Sequence, residues 1–181
     1  AMPREIERKF LVRDARIVPS QGGELIEQGY VAKEAGAMTT RVRIRGARAY
    51  LTLKGPLDGI ARDEFEYEIP VADARHILST YCGACVVRKT RHLVPYAGHT
   101  FEIDVFAGRH QGLVIAEVEL SDAHARVQLP DWLGEEVTDD RRYCNYYLAH
   151  CASLAHAPIW PQVPMPPRGL NGTNASALFS H

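Results

Sequence analysis

The sequence lacks the features that would place a protein in or across a membrane. It has no apolar run approaching the ~20 residues that a membrane-spanning helix needs, and its N-terminus lacks the charged-then-apolar pattern of a signal peptide. Net charge is also nearly absent, at −1 over 181 residues, so the protein has no general attraction for nucleic acid or membrane surfaces. We therefore expect a cytoplasmic protein with no nucleic-acid or membrane partner.

Patterns typical of zinc sites are scarce too. Cys82 and Cys85 have the two-residue spacing of zinc and redox sites, but Cys144 and Cys151 lie too far apart to complete an ordinary zinc knuckle. The eight histidines include no His-x-x-x-His pair. The cysteines are therefore predicted to be reduced and structural, and the histidines are assigned no role.

The segment Glu5-Ile6-Glu7-Arg8-Lys9 alternates as a β-strand does. As a strand, it places Glu5, Glu7 and Lys9 on one face. The two carboxylates are then about 7 Å apart beside a fixed cation, an arrangement that suits a hard metal ion and its anionic ligand. Taken alone, the segment is more typical of an edge strand with a solvated charged face.

The same alternation of charged and apolar residues recurs along the chain. Further strands are predicted at residues 24–31, 41–45, 49–54, 62–69, 87–91, 101–105 and 114–120. Lysine is scarce, with four residues against 17 arginines, yet Lys9, Lys54 and Lys89 all fall on the charged faces. The repetition of this pattern favours a shared environment for these faces over a set of unrelated surface strands.

Two antiparallel architectures fit such strands. A sandwich with one solvated face explains the alternation simply, but it explains less well why the polar face is dominated by charges of both signs. Closing the sheet with the charges inward gives a barrel with a hydrophilic lumen, whose apolar exterior helices would cover. An outer-membrane barrel is disfavoured, because these strands are short and carry no aromatic girdles.

Three helices and a tail complete the predicted organisation. The helices are predicted at residues 71–81, at 122–128 with Ser121 as N-cap, and at 139–154 with Thr138 as N-cap. From about Pro158 the chain becomes Pro-rich and cannot form regular sheet or helix. We expect an extended tail there, which is either docked by Trp160 or disordered.

The inward charges point to a metal–polyphosphate ligand. Arginine side chains pair bidentately with phosphate oxygens, and lysines act as point charges. Carboxylates do not bind phosphate directly, but they are ligands for Mg²⁺ or Mn²⁺ that bridges protein and phosphoryl oxygens. The presence of both charges in one lumen therefore favours a polyphosphate bound together with a divalent cation.

In their order, the motifs resemble the CYTH group of the triphosphate tunnel metalloenzymes. The resemblance covers residues 3–154 and rests on Glu5-x-Glu7-x-Lys9, Arg41-x-Arg43, Thr52-Leu53-Lys54, residues 62–66, Lys89-Thr90-Arg91, residues 101–104, Glu117-x-Glu119 and residues 134–138. It implies an α+β fold: an eight-stranded antiparallel closed β-barrel, or tunnel, with a charged lumen, helices packed outside and one helix plugging an end. The Pro-rich C-terminal tail, residues 155–181, lies outside it.

The resemblance also implies roles for single residues. The metal ligands, for Mg²⁺ or Mn²⁺, are Glu5, Glu7, Glu117 and Glu119. The triphosphate-binding residues are Lys9, Tyr30, Arg41, Arg43, Lys54, Arg62, Lys89, Arg91 and Arg141, with Arg142 as an alternative to Arg141. The residues expected to be catalytic are Glu5, Glu7, Lys9, Lys89 and Arg91. Arg45 extends the arginine pair beyond the usual pattern, and Glu64, Glu66, Glu102 and Asp104 either take part directly or only position the cations.

The preferred function is metal-dependent hydrolysis of inorganic triphosphate by in-line attack of water on a terminal phosphoryl group. Hydrolysis of thiamine or nucleoside triphosphate and adenylate cyclisation are the alternatives within the family. From another class, the protein is a non-catalytic sensor that binds polyphosphate or a nucleotide, although a sensor would not need four metal-binding carboxylates. The expected partner is a small-molecule triphosphate, and a homodimer is left open.

Overall fold

The computed structural model of the chain describes residues 4–32, 38–150, 160 and 163–166. Its strands are β1 (Arg4–Val12), β2 (Glu24–Ala32), β3 (Thr39–Arg45), β4 (Arg48–Lys54), β5 (Ala61–Ile69), β6 (Val86–Tyr96), β7 (His99–Phe106), β8 (Val114–Glu119) and β9 (Leu133–Glu136). Its α-helices are α1 (Val71–Ile77) and α2 (Asn145–His150). The predicted domain boundary after residue 154 lies outside the described residues.

Eight of the strands form a closed antiparallel barrel. The sheet runs in the order β5-β4-β3-β2-β6-β7-β8-β1, and β1 pairs back to β5 through Glu5 opposite Arg62. The short β9 is a ninth strand that pairs only with the C-terminal half of β1, with Val12 opposite Leu133. The predicted eight-stranded barrel is confirmed, with one strand added.

The hairpin between β6 and β7 shows how the local sequence sets the strand register. Ala97 and Gly98 both have positive φ, at 48° and 82°, which is what a two-residue turn matching the twist of the strands requires. The following pairs, Tyr96 with His99 and Pro95 with Thr100, are directly opposite. The register then places Arg91 opposite Asp104 on the inner face.

The outer face of the barrel carries two apolar clusters. The first lies on β1, β7 and β8, includes the buried Phe10, Phe101 and Ile103, and is covered by the chain around Val18 and Leu133. The second lies on β3 and β4 under α1, and its members are Val42, Ile44, Ala49, Ala74, Leu78 and Cys82. Burial of these faces holds the charged faces inward, because successive side chains of a strand point to opposite sides.

The helix predicted at residues 122–128 is wrong. That segment forms turns and irregular structure, and the Asp122 carboxylate accepts a hydrogen bond from His124 N (2.7 Å) without a helix following it. A seven-residue helix is marginal without favourable packing. Here Ala125 and Val127 pack individually against the outer apolar cluster of β1, β7 and β8, and this contact does not require a helix.

The other two predicted helices differ from expectation in the α-helical residues that they contain. After α1 the chain forms a π-helical turn, Leu78–Cys82. In place of a helix from residue 139, a 3₁₀ turn at Arg141–Tyr143 precedes α2. Thr138 does not cap a helix; its Oγ1 accepts from Lys9 N (3.0 Å). The predicted end of the last helix, at residue 154, lies outside the described residues.

No helix in the described part of the chain is both long enough and apolar enough to cross a membrane.

Candidate functional site

The closed sheet brings the predicted cations into one lumen. Inward positions on neighbouring strands stand directly opposite each other, as Lys9 does with Glu117 and Lys54 with Glu64. Among the described residues, six lysine and arginine side chains are buried: Lys9, Arg41, Arg43, Lys54, Lys89 and Arg91. Charged groups are stable inside a protein only when they are paired or bound by a ligand, and each wall of the lumen pairs its cations with carboxylates.

On the β1–β5 wall, Glu5 is held by two cations. Both of its oxygens accept from Lys54 Nζ (2.8 Å each), and one also accepts from Arg62 Nε (2.8 Å). Lys54 also lies 2.9 Å from Glu64. Burial alone would raise the pKa of Glu5, but the Lys54 charge, a hydrogen bond with Glu64 and the Arg62 charge together lower it. Glu5 is therefore ionised, and its carboxylate is bound by Lys54 and Arg62.

On the β1–β8 wall, negative charge is in excess. Glu7 stands opposite Glu119, and its closest cation is Lys9 at 3.8 Å, which is itself 3.0 Å from Glu117. Burial and the charge of Glu117 raise the pKa of Glu7 to about 7. The three carboxylates of this wall thus outnumber its cations, and an additional cation would reduce their mutual repulsion.

Asp104 organises the β6–β7 wall and is fully buried. Its two oxygens accept from Arg91 Nε and Nη2 (2.7 Å each), and Lys89 Nζ also donates to it. Arg91 reaches further, to Glu102 and to Glu117 (2.9 Å). Burial, opposed by Asp104 and aided by the charge of Arg91, lowers the pKa of Lys89 to about 8.

The β3–β5 wall holds the arginine pair. Arg43 donates to Glu66 (2.9 Å), and Arg41 donates to Thr52 Oγ1 (3.2 Å) and lies 3.5 Å from Glu66. Thr52 donates in turn to Glu66 (2.9 Å). Glu66, like Asp104, thus positions cations in the ligand-free protein.

One end of the lumen is closed by α2. Leu148 of this helix packs with the inward residues Val87, Phe106 and Ile115 and with Tyr30. The Tyr30 ring lies edge-to-face on Tyr146 of the same helix, with ring centroids 5.2 Å apart. The predicted plugging helix is confirmed, and Trp160 packs against the same cluster.

At the other end of the barrel, away from α2, the protein has a cavity of about 510 Å³ beside β2 and β3. It is lined by Glu24, Arg45, Ala47, Arg48 and Tyr50. Arg45 is a third exposed and pairs with Glu24. It therefore belongs to the rim of the lumen and not to the buried cation set. The ligand's route into the lumen is expected at this end, because α2 closes the other.

The structure brings most predicted site residues together but leaves two apart. Arg141 is exposed on the 3₁₀ turn before α2, and the alternative, Arg142, pairs with Asp140 (2.6 Å). Two further residues face the lumen without having been predicted. Asn145 accepts from Lys89 Nζ (3.2 Å), and Gln28 is fully buried opposite Arg43. The strand alternation of Gln28 with Tyr30 was a usable signal; Asn145 offered none.

The carboxylates Glu7, Glu117 and Glu119 fit a divalent cation by their chemistry. They offer oxygen ligands on adjacent strands, the donors that hard cations prefer. Burial and the charge of Glu117 raise the pKa of Glu7, and a bound cation would lower it again. Within the described residues, no three acidic, histidine or cysteine side chains are already arranged around a metal position. Because Glu117 is paired with Lys9 and Arg91, metal binding by Glu117 must compete with those pairs.

Comparison with known proteins agrees with this geometry. A sequence model of the CYTH domain matches residues 3–146. An inorganic triphosphatase of Acetivibrio thermocellus is 44% identical over 144 residues, which are 80% of this chain and 92% of that protein. An inorganic triphosphatase of Nitrosomonas europaea is 39% identical over 152 residues, covering 80% of this chain and 96% of that protein.

The fold has a solved counterpart as well. The crystal structure of an inorganic triphosphatase superposes with a TM-score of 0.59 at 33% identity, covering 87% of this chain and 97% of the other. The family match spans the barrel from its first strand to the start of α2. The chain belongs to the CYTH domain family.

Proposed function

We propose that the protein is a divalent-metal-dependent inorganic triphosphatase acting in the cytoplasm. The observation that carries the proposal is the set of six buried cations inside a closed barrel, beside a wall whose carboxylates outnumber its cations. Two relatives that align with 80% of the chain are named inorganic triphosphatases, which supports inorganic triphosphate as the substrate. The proposed partner is this small molecule, and we propose no nucleic-acid or membrane partner. A homodimer stays a prediction.

Substrate binding would replace the internal ion pairs. Lys9, Arg41, Arg43, Lys54, Lys89 and Arg91, with the half-buried Arg62, are the proposed phosphate-binding groups. Burial raises the pKa of Tyr30 to about 12, so its hydroxyl keeps its proton at neutral pH and can donate to a phosphoryl oxygen. Arg141 would contribute only if its exposed side chain turned toward the closed end.

A divalent cation, Mg²⁺ or Mn²⁺, held by Glu7, Glu117 and Glu119, would neutralise phosphoryl oxygens and lower the pKa of a water molecule. Glu5 could join these ligands only by releasing Lys54 and Arg62.

The protein's own groups position the substrate and stabilise its charge. The oxygen of water attacks the terminal phosphorus, the P–O bond of the anhydride breaks, and orthophosphate and pyrophosphate form with release of one proton. Lys89 and Arg91, fixed by Asp104, stabilise charge that develops on the phosphoryl oxygens. Phosphoryl transfer depends chiefly on such positioning and charge neutralisation.

Phosphorus NMR tests the proposal directly. The protein is incubated with Mg²⁺ or Mn²⁺ and, separately, with inorganic triphosphate, ATP and thiamine triphosphate. Orthophosphate plus pyrophosphate from inorganic triphosphate, abolished by excess chelator, is the expected result. Cyclic AMP from ATP would identify a cyclase, faster turnover of ATP or thiamine triphosphate would identify those substrates, and binding without turnover would identify a sensor.

Substitution of the metal ligands sharpens the test. Glu117→Gln and Glu119→Gln should each lower metal-dependent turnover at least ~100-fold, since each removes a charged ligand while preserving shape. Glu135→Gln, at an exposed position of β9, is the matched control and should keep wild-type turnover. Intact hydrolysis in Glu117→Gln would contradict the metal assignment.

A further inference from the structure

Gln28 is buried in the lumen and has no hydrogen-bond partner among the described residues. Its side chain has no exposed surface, and neither Nε2 nor Oε1 bonds to any residue that the structure describes. A buried amide that no protein group satisfies is unfavourable unless a water molecule or a ligand bonds to it. Buried polar groups left unpaired in a native protein call for a specific explanation, such as a missing ligand.

Two arginines beside Gln28 each have one nitrogen without an acceptor among the described residues. Gln28 stands directly opposite Arg43, and Arg41 is one step along the same pair of strands, opposite Tyr30. The Nε atoms of both arginines are buried and find no acceptor among the described residues. Three side chains on β2 and β3 therefore present unused N–H donors to one part of the lumen. Such a concentration of donors without acceptors fits an oxyanion.

The backbone holds Gln28 in place from behind. A Cβ atom at Gly29, the next residue, would come 2.7 Å from Cys82 Sγ and 3.1 Å from Leu78 Cδ2. Strand β2 is thus pressed against the π-helical turn after α1, and the absence of a side chain at Gly29 allows this approach. Gln28, which points to the opposite side of the strand, cannot withdraw outward to find a partner.

We infer that Gln28 is a triphosphate-binding residue whose amide nitrogen donates to a phosphoryl oxygen shared with Arg41 and Arg43. This inference rests on the proposed function and adds a neutral donor to its cation set. Gln28 makes no hydrogen bond with any described residue, so the ligand has no internal pair to break before it reaches this amide. Gln28 is therefore preorganised for the ligand in a way that the paired cations are not.

A near-isosteric substitution separates binding from structure. In Gln28→Met, the unpaired amide is replaced by an apolar side chain of similar length, so the ligand-free protein should unfold at a temperature equal to or higher than that of the wild type. Its dissociation constant for inorganic triphosphate, measured by calorimetry in excess chelator to prevent turnover, should rise about 10- to 100-fold, the loss of one hydrogen bond to a charged group. Gln111→Met, at an exposed position, should change neither quantity.

Each outcome decides the inference. Unchanged triphosphate affinity in Gln28→Met, or a lower unfolding temperature with unchanged affinity, would overturn it and leave the proposed function standing. If Gln28→Met does not fold, Gln28→Asn, whose amide is one methylene short of the ligand, takes its place with the same expected loss of affinity, and wild-type affinity there would overturn the inference. A wild-type protein that neither binds nor hydrolyses inorganic triphosphate would overturn both proposals.

Discussion

Removing the charge of Asp104 should destabilise the ligand-free protein by about 3–5 kcal/mol, the range for breaking a buried ion pair from one side. Asp104 has no exposed surface and serves Lys89 and Arg91 at once. In Asp104→Asn, Arg91 still has Glu102 and Glu117. Lys89, however, keeps only the neutral Asn145 amide as a described hydrogen-bond partner. Since small domains are stable by about 5–15 kcal/mol, the loss is a large fraction of the total.

Lys89 gives this prediction a pH dependence. Its pKa is already lowered to about 8 by burial, against the opposing charge of Asp104, and loss of Asp104 lowers it further. A lysine whose folded pKa lies below its unfolded value destabilises the fold most at low pH. The difference between Asp104→Asn and the wild type should therefore shrink as pH rises past about 8, where Lys89 is neutral in both folded proteins.

Urea unfolding at about pH 7 and pH 9, followed by circular dichroism, measures both quantities. Asp131→Asn, at an exposed turn, is the matched control and should stay within about 0.5 kcal/mol of the wild type. A loss below about 1 kcal/mol at neutral pH, or a loss that grows with pH, would refute the role of Asp104 as the counter-ion of Lys89. Excess inorganic triphosphate should restore part of the stability, because it supplies the missing negative charge.

Three further predictions follow from the same geometry. Triphosphate affinity should fall as pH rises through about 8, where Lys89 loses its charge; calorimetry across this range checks it, and a Lys89→Met variant should lack the step. Phe101→Ala, in the outer apolar cluster, should lower the free energy of unfolding by about 3–5 kcal/mol, and a loss below 1 kcal/mol in urea would contradict that packing. Gly29→Ala should cost about 1–3 kcal/mol through overpacking against Cys82, and a Cys82→Ala change in the same protein should recover much of it.

The inner face of the barrel could be predicted from sequence because strand alternation is a local property. Once Phe10 and Ile103 are assigned to the outer face, Lys9 and Asp104 must point inward. The pairing of charges was less accessible, because it depends on the register between distant strands. Asp104 contacts two cations because Arg91 stands opposite it, whereas Glu7 stands opposite another carboxylate, Glu119. The local sequence around each residue does not contain these cross-strand pairs.

The errors came from short segments whose structure is decided by tertiary contacts. Strand β9 has four residues, too few to show an alternating pattern, and forms because β1 offers it a free edge. Thr138 looked like a helix cap, yet its hydroxyl bonds to the backbone of β1 at Lys9. In both places the partner lies more than a hundred residues away in the chain, beyond the reach of periodicity or capping rules.

The mixture of charges in the lumen also limits what can bind there. In the ligand-free protein most lumen cations are paired, as Lys54 is with Glu5 and Arg43 with Glu66, so an incoming anion must exchange for internal carboxylates. A single phosphate offers too few oxygens to replace several pairs at once, whereas a linear triphosphate carries enough to engage opposite walls together. The carboxylates that it displaces are left without counter-ions, and a divalent cation arriving with the substrate neutralises them. The same residues that neutralise the empty lumen should therefore make the polyphosphate bind more tightly with the metal ion than without it.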